Sequence, residues 1–216
     1  MDEIAHAAQA DPVEYRLRHL RNDRVRGVLQ AVAKAAKWES RAARRESSPN
    51  GEVLGRGVAC VAYEGGNGYA ALVADVSVNL HTGVVRPVKF TIAIDCGPIS
   101  NPDGLRNQVE GGLLQGMSRA LVEEVTWNSE RVTSVDWIGY TSVALDYGVP
   151  QIETVFVVPG NVPATGAGET SITVAPAAIG NAVFHATGAR LRDVPFTPAR
   201  VLAAIAASTQ IGARPA

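Results

Sequence analysis

The sequence predicts an α+β fold, with mixed or antiparallel strands packed against helices and preceded by an N-terminal helical arm. Three observations predict it. Residues 1–46 carry apolar positions at helical spacing and have Gly27 as their only glycine. Residues 53–94 hold three runs rich in Val, Ile and Ala, punctuated by glycine turns. Beyond residue 100, strand-like and helix-like blocks alternate too loosely for a doubly wound parallel sheet. The chain therefore divides into a helical arm, 1–46, and a domain over 47–216.

Each element has a local reason. Ile4, Ala7 and Ala8 start a first helix. Asp11 and Pro12 read as the N-cap and first helical residue of a second, which Leu17 and Leu20 continue. Val25, Val28, Leu29, Val32 and Ala36 form a third apolar stripe, ending near Trp38. A charged linker follows over residues 41–51. Residues 53–63, 69–80 and 84–94 read as successive antiparallel strands, with tight turns at 65–68 and 81–83. Asp75, Ser77 and Asn79 alternate with Val76, Val78 and Leu80, which predicts one wet face there. Asn101-Pro102 opens a helix through Leu121, with Leu105, Val109, Gly112, Leu113, Gly116 and Leu121 on related faces. Residues 122–127 and 151–158 read as further strands. Residues 175–189 and 198–208 read as helices, with Pro176 and Pro198 near their first turns.

Composition sets outer limits. The 216 residues suit one domain, or one and a half, with enough chain to bury a core. Twenty basic against 21 acidic residues rule out a general electrostatic grip on nucleic acid. A hydrophobic content of 46% argues against disorder. No apolar run reaches the roughly 18 residues of a membrane span, and the opening has no basic segment followed by an apolar one, as a signal peptide would. Cys60 and Cys96 make no CxxC and no disulfide framework, so a reducing compartment is expected and the reading is cytoplasmic.

Two glycine-rich clusters carry the chemistry. In the first, residues 95–116, Gly111, Gly112 and Gly116 fall inside a helical stretch, where each glycine costs about 1 kcal/mol against alanine. They imply close backbone approach, either to another helix or to a ligand. Gln108 and Gln115, seven apart, share a face and offer amide donors and acceptors suited to the edge of a heterocycle; solvent exposure is the other reading. The second cluster, residues 163–176, feeds a helix start, which presents free backbone N–H groups and the positive end of the helix dipole. Gly166 and Gly168 open it, and Thr170, Ser171 and Thr173 add hydroxyls that can cap the helix or hold a phosphate. It is neither a Walker A loop nor a Rossmann fingerprint. Glu169 is the only carboxylate between 161 and 189. It reads either as a general base in apolar surroundings or as a capping glutamate. His6, His19, His81 and His185 share no ligand-like spacing, so no metal ligand is assigned, and His185 and Cys96 read as packed core residues.

Taken together, the clusters carry a family resemblance. The stretch DCGPISNPDGLRNQVEGGLLQGMSRAL resembles the cofactor-binding segment of the xanthine dehydrogenase and aldehyde oxidase family, in its molybdopterin-binding large subunit. GAGETSITVAPAAIGNAVFHATGARLRDVPFTP is similar to that family's C-terminal catalytic segment, and MDEIAHAAQADPVEYRLRHL to the helical stretch preceding both. The spelling is nearest to β subunits of the isoquinoline 1-oxidoreductase and nicotinate dehydrogenase type. The resemblance implies that residues 47–216 form a C-terminal molybdenum-cofactor-binding domain. It implies a molybdenum–molybdopterin cofactor, often the cytosine dinucleotide form, whose dithiolene rather than the protein supplies the sulfur ligands. The glutamate of the GxGE motif falls on Glu169 as catalytic base, and the glutamine of QxEGG on Gln108 as pterin contact. Gly111, Gly112, Gly166, Gly168, Thr170, Ser171 and Thr173 become cofactor contacts. The expected reaction is hydroxylation of an N-heteroaromatic or an aldehyde with water as oxygen source, electrons leaving through 2Fe-2S clusters on a partner subunit.

The resemblance covers nearly the whole chain but only the C-terminal third or less of a complete large subunit, and no iron–sulfur cysteine motif is present. A split subunit or a piece of a longer gene is expected, with partners carrying the remaining molybdopterin-binding domains and the iron–sulfur clusters. Two alternatives stand beside this: a non-catalytic domain that packs with a partner, and a nucleotide-phosphate module without molybdenum.

Overall fold

The computed structural model describes residues 1–39 and 48–212, with side chains placed as far as residue 208. Most of the charged linker read over 41–51 lies outside the described residues. The fold is α+β. Its elements run α1 (Asp2–Ala7), α2 (Pro12–His19), α3 (Asp23–Ala35), β1 (Glu52–Ala62), β2 (Tyr69–Asn79), β3 (Val85–Asp95), α4 (Pro102–Leu121), β4 (Gln151–Phe156), α5 (Thr170–Thr187) and α6 (Pro198–Gly212). The sheet order is β1-β2-β3-β4. The first two pairings are antiparallel and β3 pairs β4 in parallel, so the sheet is mixed.

The helix starts follow local chemistry. Asp11 accepts the backbone N–H groups of Val13 and Glu14 at 2.8 and 3.1 Å, with Pro12 in the first turn of α2. Asn22 caps α3 through Arg24 and Val25, and Asn101 caps α4 through Gly104. The apolar stripe of α3 (Val25, Val28, Leu29 and Val32) packs on one sheet face against Val58, Tyr69, Ala71, Val73 and Ala93. On the other face α5 lies across β1 and β2 with α4 beside it, closing a core around Leu72, Phe90, Ile92, Ile94, Leu113, Met117 and Ile179. Burying each of these larger side chains contributes about 1.5–3 kcal/mol.

That arrangement places the wet face predicted on β2. Ala71 and Val73 are covered by α3, whereas further along the same face Asp75 pairs with Arg56 at 2.6 Å. The strand is buried on both faces where helices reach and polar on one where they stop.

Glycines on β1 let α5 approach. A Cβ at Gly55 would collide with the carbonyl of Ala182, and one at Gly57 with that of Ala178. Asn181 closes the contact by donating to the Val58 carbonyl at 3.0 Å. Gly116 of α4 performs the same service at α5, where a Cβ would lie 2.7 Å from the Ile172 carbonyl. Pro176 removes the helical N–H that would otherwise bond that carbonyl.

Three expectations are corrected. Residues 122–127 form no strand of the sheet. Among the described residues they show only an isolated bridge between Trp127 and Val132. Val125 and Trp127 are exposed, and the segment folds back on itself through Thr133 N–H to the Thr126 carbonyl at 2.8 Å. Helix α5 starts at Thr170, five residues earlier than read, so Pro176 sits in its interior. Packing of Thr170, Ser171 and Val174 into the core outweighs the weak helix preference of β-branched residues. Helix α6 runs on to Gly212.

Candidate functional site

The two glycine clusters meet at one end of the sheet. β3 ends at Asp95, which is fully buried and accepts two hydrogen bonds from Arg24 of α3, at 2.7 and 2.6 Å, and a third from the Gly97 N–H at 2.9 Å. The Asp95 carboxylate raises the Arg24 guanidinium above its ordinary pKa, chiefly through that hydrogen bond. Gly97 turns with a φ of +76°, and a Cβ there would collide with the Pro163 carbonyl. The Thr165 N–H donates to the Cys96 carbonyl at 2.8 Å. The chain leaving β3 and the chain entering the second cluster are thus fastened side by side.

From α4, Gln108 donates through Nε2 to the Gly168 carbonyl at 2.6 Å. From the β1–β2 turn, Asn67 accepts the Gly166 N–H at 2.9 Å, and the Tyr63 hydroxyl donates to Glu169 Oε2. Residues 166–169 are therefore held between a helix and a turn. Glu169 occupies the N-cap position of α5 without making a side-chain cap, which removes the capping reading. Its surroundings are not apolar either, since the residue is exposed and bonded to a phenol.

The remaining predicted contacts separate by position. Gly111 and Gly168 face open space, with nothing within 4 Å of an added Cβ. Gly112 is buried and faces the Ser171 hydroxyl, so its close approach is to α5. Thr170 and Ser171 are fully buried, and neither hydroxyl has a hydrogen-bond partner. Thr173 spends its hydroxyl on the Thr170 carbonyl at 2.8 Å. Among the described residues no side chain caps α5, so its first N–H groups lack the partner a cap would supply; that of Ile172 turns back to the Glu169 carbonyl at 3.1 Å. Gln115 is not brought to this place. Seven residues along a helix is about 10 Å, and Gln115 instead lines an 800 Å³ cavity with Leu114, Met117 and Leu145.

His185 accepts the Arg56 N–H through Nδ1 at 3.0 Å, a structural contact. Cys96 is buried, and burial pushes its thiol up, with the Asp95 charge adding to the effect. Both cysteines are free. Among the described residues, no three His, Cys, Asp or Glu side chains gather to hold a metal ion. The sequence reading missed Tyr63, Asn67 and the Arg24–Asp95 pair. The Gly65-Gly66-Asn67-Gly68 turn was visible, but nothing in it showed that it closes on a loop about a hundred residues away.

Residues 65–156 match the family model described as a molybdopterin cofactor-binding domain. The chain is 38% identical over 97% of its length to a subunit of the nicotinate dehydrogenase of Pseudomonas putida, of which it covers 18%. It is 33% identical over 92% of its length to the beta chain of isoquinoline 1-oxidoreductase from Brevundimonas diminuta, covering 24% of that protein. Among solved structures it is similar to quinoline 2-oxidoreductase from Pseudomonas putida 86, with a TM-score of 0.59 and 27% identity over 68% of this chain and 19% of that one. The chain belongs to the xanthine dehydrogenase and aldehyde oxidase family of molybdopterin-dependent oxidoreductases, and corresponds to part of the molybdopterin-binding subunit. It spans about a fifth to a quarter of the length of these curated relatives.

Proposed function

We propose that this chain supplies the base and one wall of the cofactor site of a molybdenum hydroxylase acting on an N-heteroaromatic or an aldehyde. The observation that carries the reading is the Gln108–Gly168 hydrogen bond, which brings Gln108 and the loop before Glu169 to one place. When bound, a molybdenum–molybdopterin cofactor, in its cytosine dinucleotide form, supplies the two-electron chemistry of hydroxylation with water as oxygen source.

The residues present fit that group. Gly111 and Gly168 leave open space against which a flat ring can lie. With Nε2 committed to Gly168, the Gln108 amide keeps its oxygen for a ring N–H. The uncapped start of α5 offers backbone N–H groups and the positive helix end to a phosphate, beside the unpartnered hydroxyls of Thr170 and Ser171. Gly112 acts through α5 by admitting Ser171, and Thr173 by tying the first turn. Glu169 has one carboxylate oxygen committed to Tyr63, so the other can take a proton from a group presented there.

Partners complete the site in this reading: a polypeptide with the remaining molybdopterin-binding domains, and an iron–sulfur subunit whose 2Fe-2S clusters take the electrons. Support comes from residues 125–149, where Trp127, Val135, Trp137, Ile138, Leu145 and Val149 are between 63% and 91% exposed. So much apolar surface in one segment is the mark of an interface. Among the described residues no helix is long and apolar enough to cross a membrane. A cytoplasmic location belongs to the same reading and is supported by the free cysteines.

The test is Glu169→Gln in the complete complex. Turnover should be abolished with molybdenum still bound; substantial residual turnover contradicts the role given to Glu169.

A further inference from the structure

β1 does not simply turn into β2. It leads into a single tight turn, Tyr63–Gly65, in which Glu64 takes a φ of 43°. The turn is cross-braced on Tyr63. Its N–H donates to the Gly68 carbonyl at 2.9 Å, and its carbonyl accepts the N–H groups of Gly66 and Asn67 at 2.9 and 2.8 Å. A left-handed conformation at a non-glycine residue is costly and persists where surrounding contacts impose it.

Three further contacts run from this turn to the second glycine cluster. Asn67 Oδ1 accepts the Gly166 N–H, and Asn67 Nδ2 donates to Glu64 at 3.3 Å, holding the turn's own carboxylate back. Gly68, with a φ of +122°, sits so close to Thr170 that a Cβ would lie 2.5 Å from the threonine hydroxyl. Tyr63 itself places its hydroxyl on Glu169 Oε2. The turn therefore grips the loop before Glu169, the residue after it and its side chain.

We propose that Tyr63 is a positioning residue for Glu169, donating its phenol proton to one carboxylate oxygen and leaving the other as the proton acceptor. This rests on the reading of Glu169 as the base. A glutamate at an exposed N-cap, without a capping bond, has several rotamers open to it. A donor on Oε2 selects one of them and aims Oε1. The phenol must keep its proton to do so, and its surroundings see to that. The Tyr63 hydroxyl is pushed up to about 12, first by the hydrogen bond to Glu169, then by burial and by the charges of Glu169 and Glu64. The charges acting on it are both carboxylates, one on its own turn and one at the start of α5.

The experiment is a carbon-13 NMR titration of the full chain with its tyrosines labelled at Cζ, between pH 8 and 12.5. Tyr63→Phe assigns the resonance, and circular dichroism checks the fold at each point. In the parent protein the Tyr63 midpoint lies near 12. In Glu169→Gln it falls toward the ordinary tyrosine value of about 10, roughly a hundredfold loss in proton affinity. The same midpoint in both proteins overturns the proposal. In the complete complex, Tyr63→Phe should lower kcat at least tenfold, with KM and molybdenum content unchanged; an unchanged kcat also overturns it. The titration needs no cofactor. A chain that never loads molybdenum contradicts the proposed function, while the shift of the phenol alone decides whether Tyr63 and Glu169 are coupled.

Discussion

Gln108 and Tyr63 reach residues 168 and 169 from two different elements, α4 and the β1–β2 turn, and they act there differently. Gln108 holds the backbone through a carbonyl, whereas Tyr63 holds the side chain that follows it. Both bonds are exposed, so each adds modestly to stability, and their value lies in orientation. Gln108→Ala should therefore change stability by no more than about 1 kcal/mol and still lower the molybdenum content of the purified complex. Metal analysis beside a thermal melt separates the two effects. The Tyr63 contact also carries a pH signature. A hydroxyl raised to about 12 in the fold, against about 10 unfolded, gives stability that is fully present below pH 10 and is lost as pH rises from there to 12. The parent protein should lose melting temperature over that interval more steeply than Tyr63→Phe.

At the scale of elements, the site depends on how closely α5 can settle. Gly55, Gly57 and Gly116 clear its path on two sides, and the carbonyls of Ala182, Ala178 and Ile172 fill the space that side chains would take. Gly57→Ala should destabilise by about 1–3 kcal/mol or more through overpacking, a shift visible in a denaturant midpoint. Arg24→Ala should cost about 3–5 kcal/mol, because it leaves the buried Asp95 carboxylate without its main partner. These contacts also explain what could be read beforehand. The three long strands and α4 were legible because glycine turns, alternation and the Asn101-Pro102 start are local signals. The first turn of α5 was not, because Thr170 to Thr173 favour a strand or loop until the core receives them. Glu169 and Gln108 were legible as motif residues. That they meet, and that Tyr63 joins them across 106 positions, depends on β1 and α5 packing together, which no short segment encodes.

At the scale of the whole molecule, the described surface is unevenly finished. One side is sealed by α3, and α1 is tied back by the buried Asp2, which pairs with half-buried Arg190 at 2.8 Å. Elsewhere, residues 125–149 expose apolar side chains, of which Leu145 and Val149 line an 800 Å³ cavity beside α4. Trp127 and Trp137, 73% and 83% exposed, contribute little to the fold. Replacing both by Ser should leave the melting temperature of the isolated chain nearly unchanged and remove its co-elution with the larger complex on gel filtration.

The central claim is that Glu169 serves as the base at a molybdopterin site completed by a partner. The most direct measurement is molybdenum content and turnover of the natively purified complex, compared with its Glu169→Gln form. The account predicts molybdenum near one per chain in both, with turnover in the first and none in the second. A chain that purifies without molybdenum, or a Glu169→Gln complex that still turns over, contradicts it.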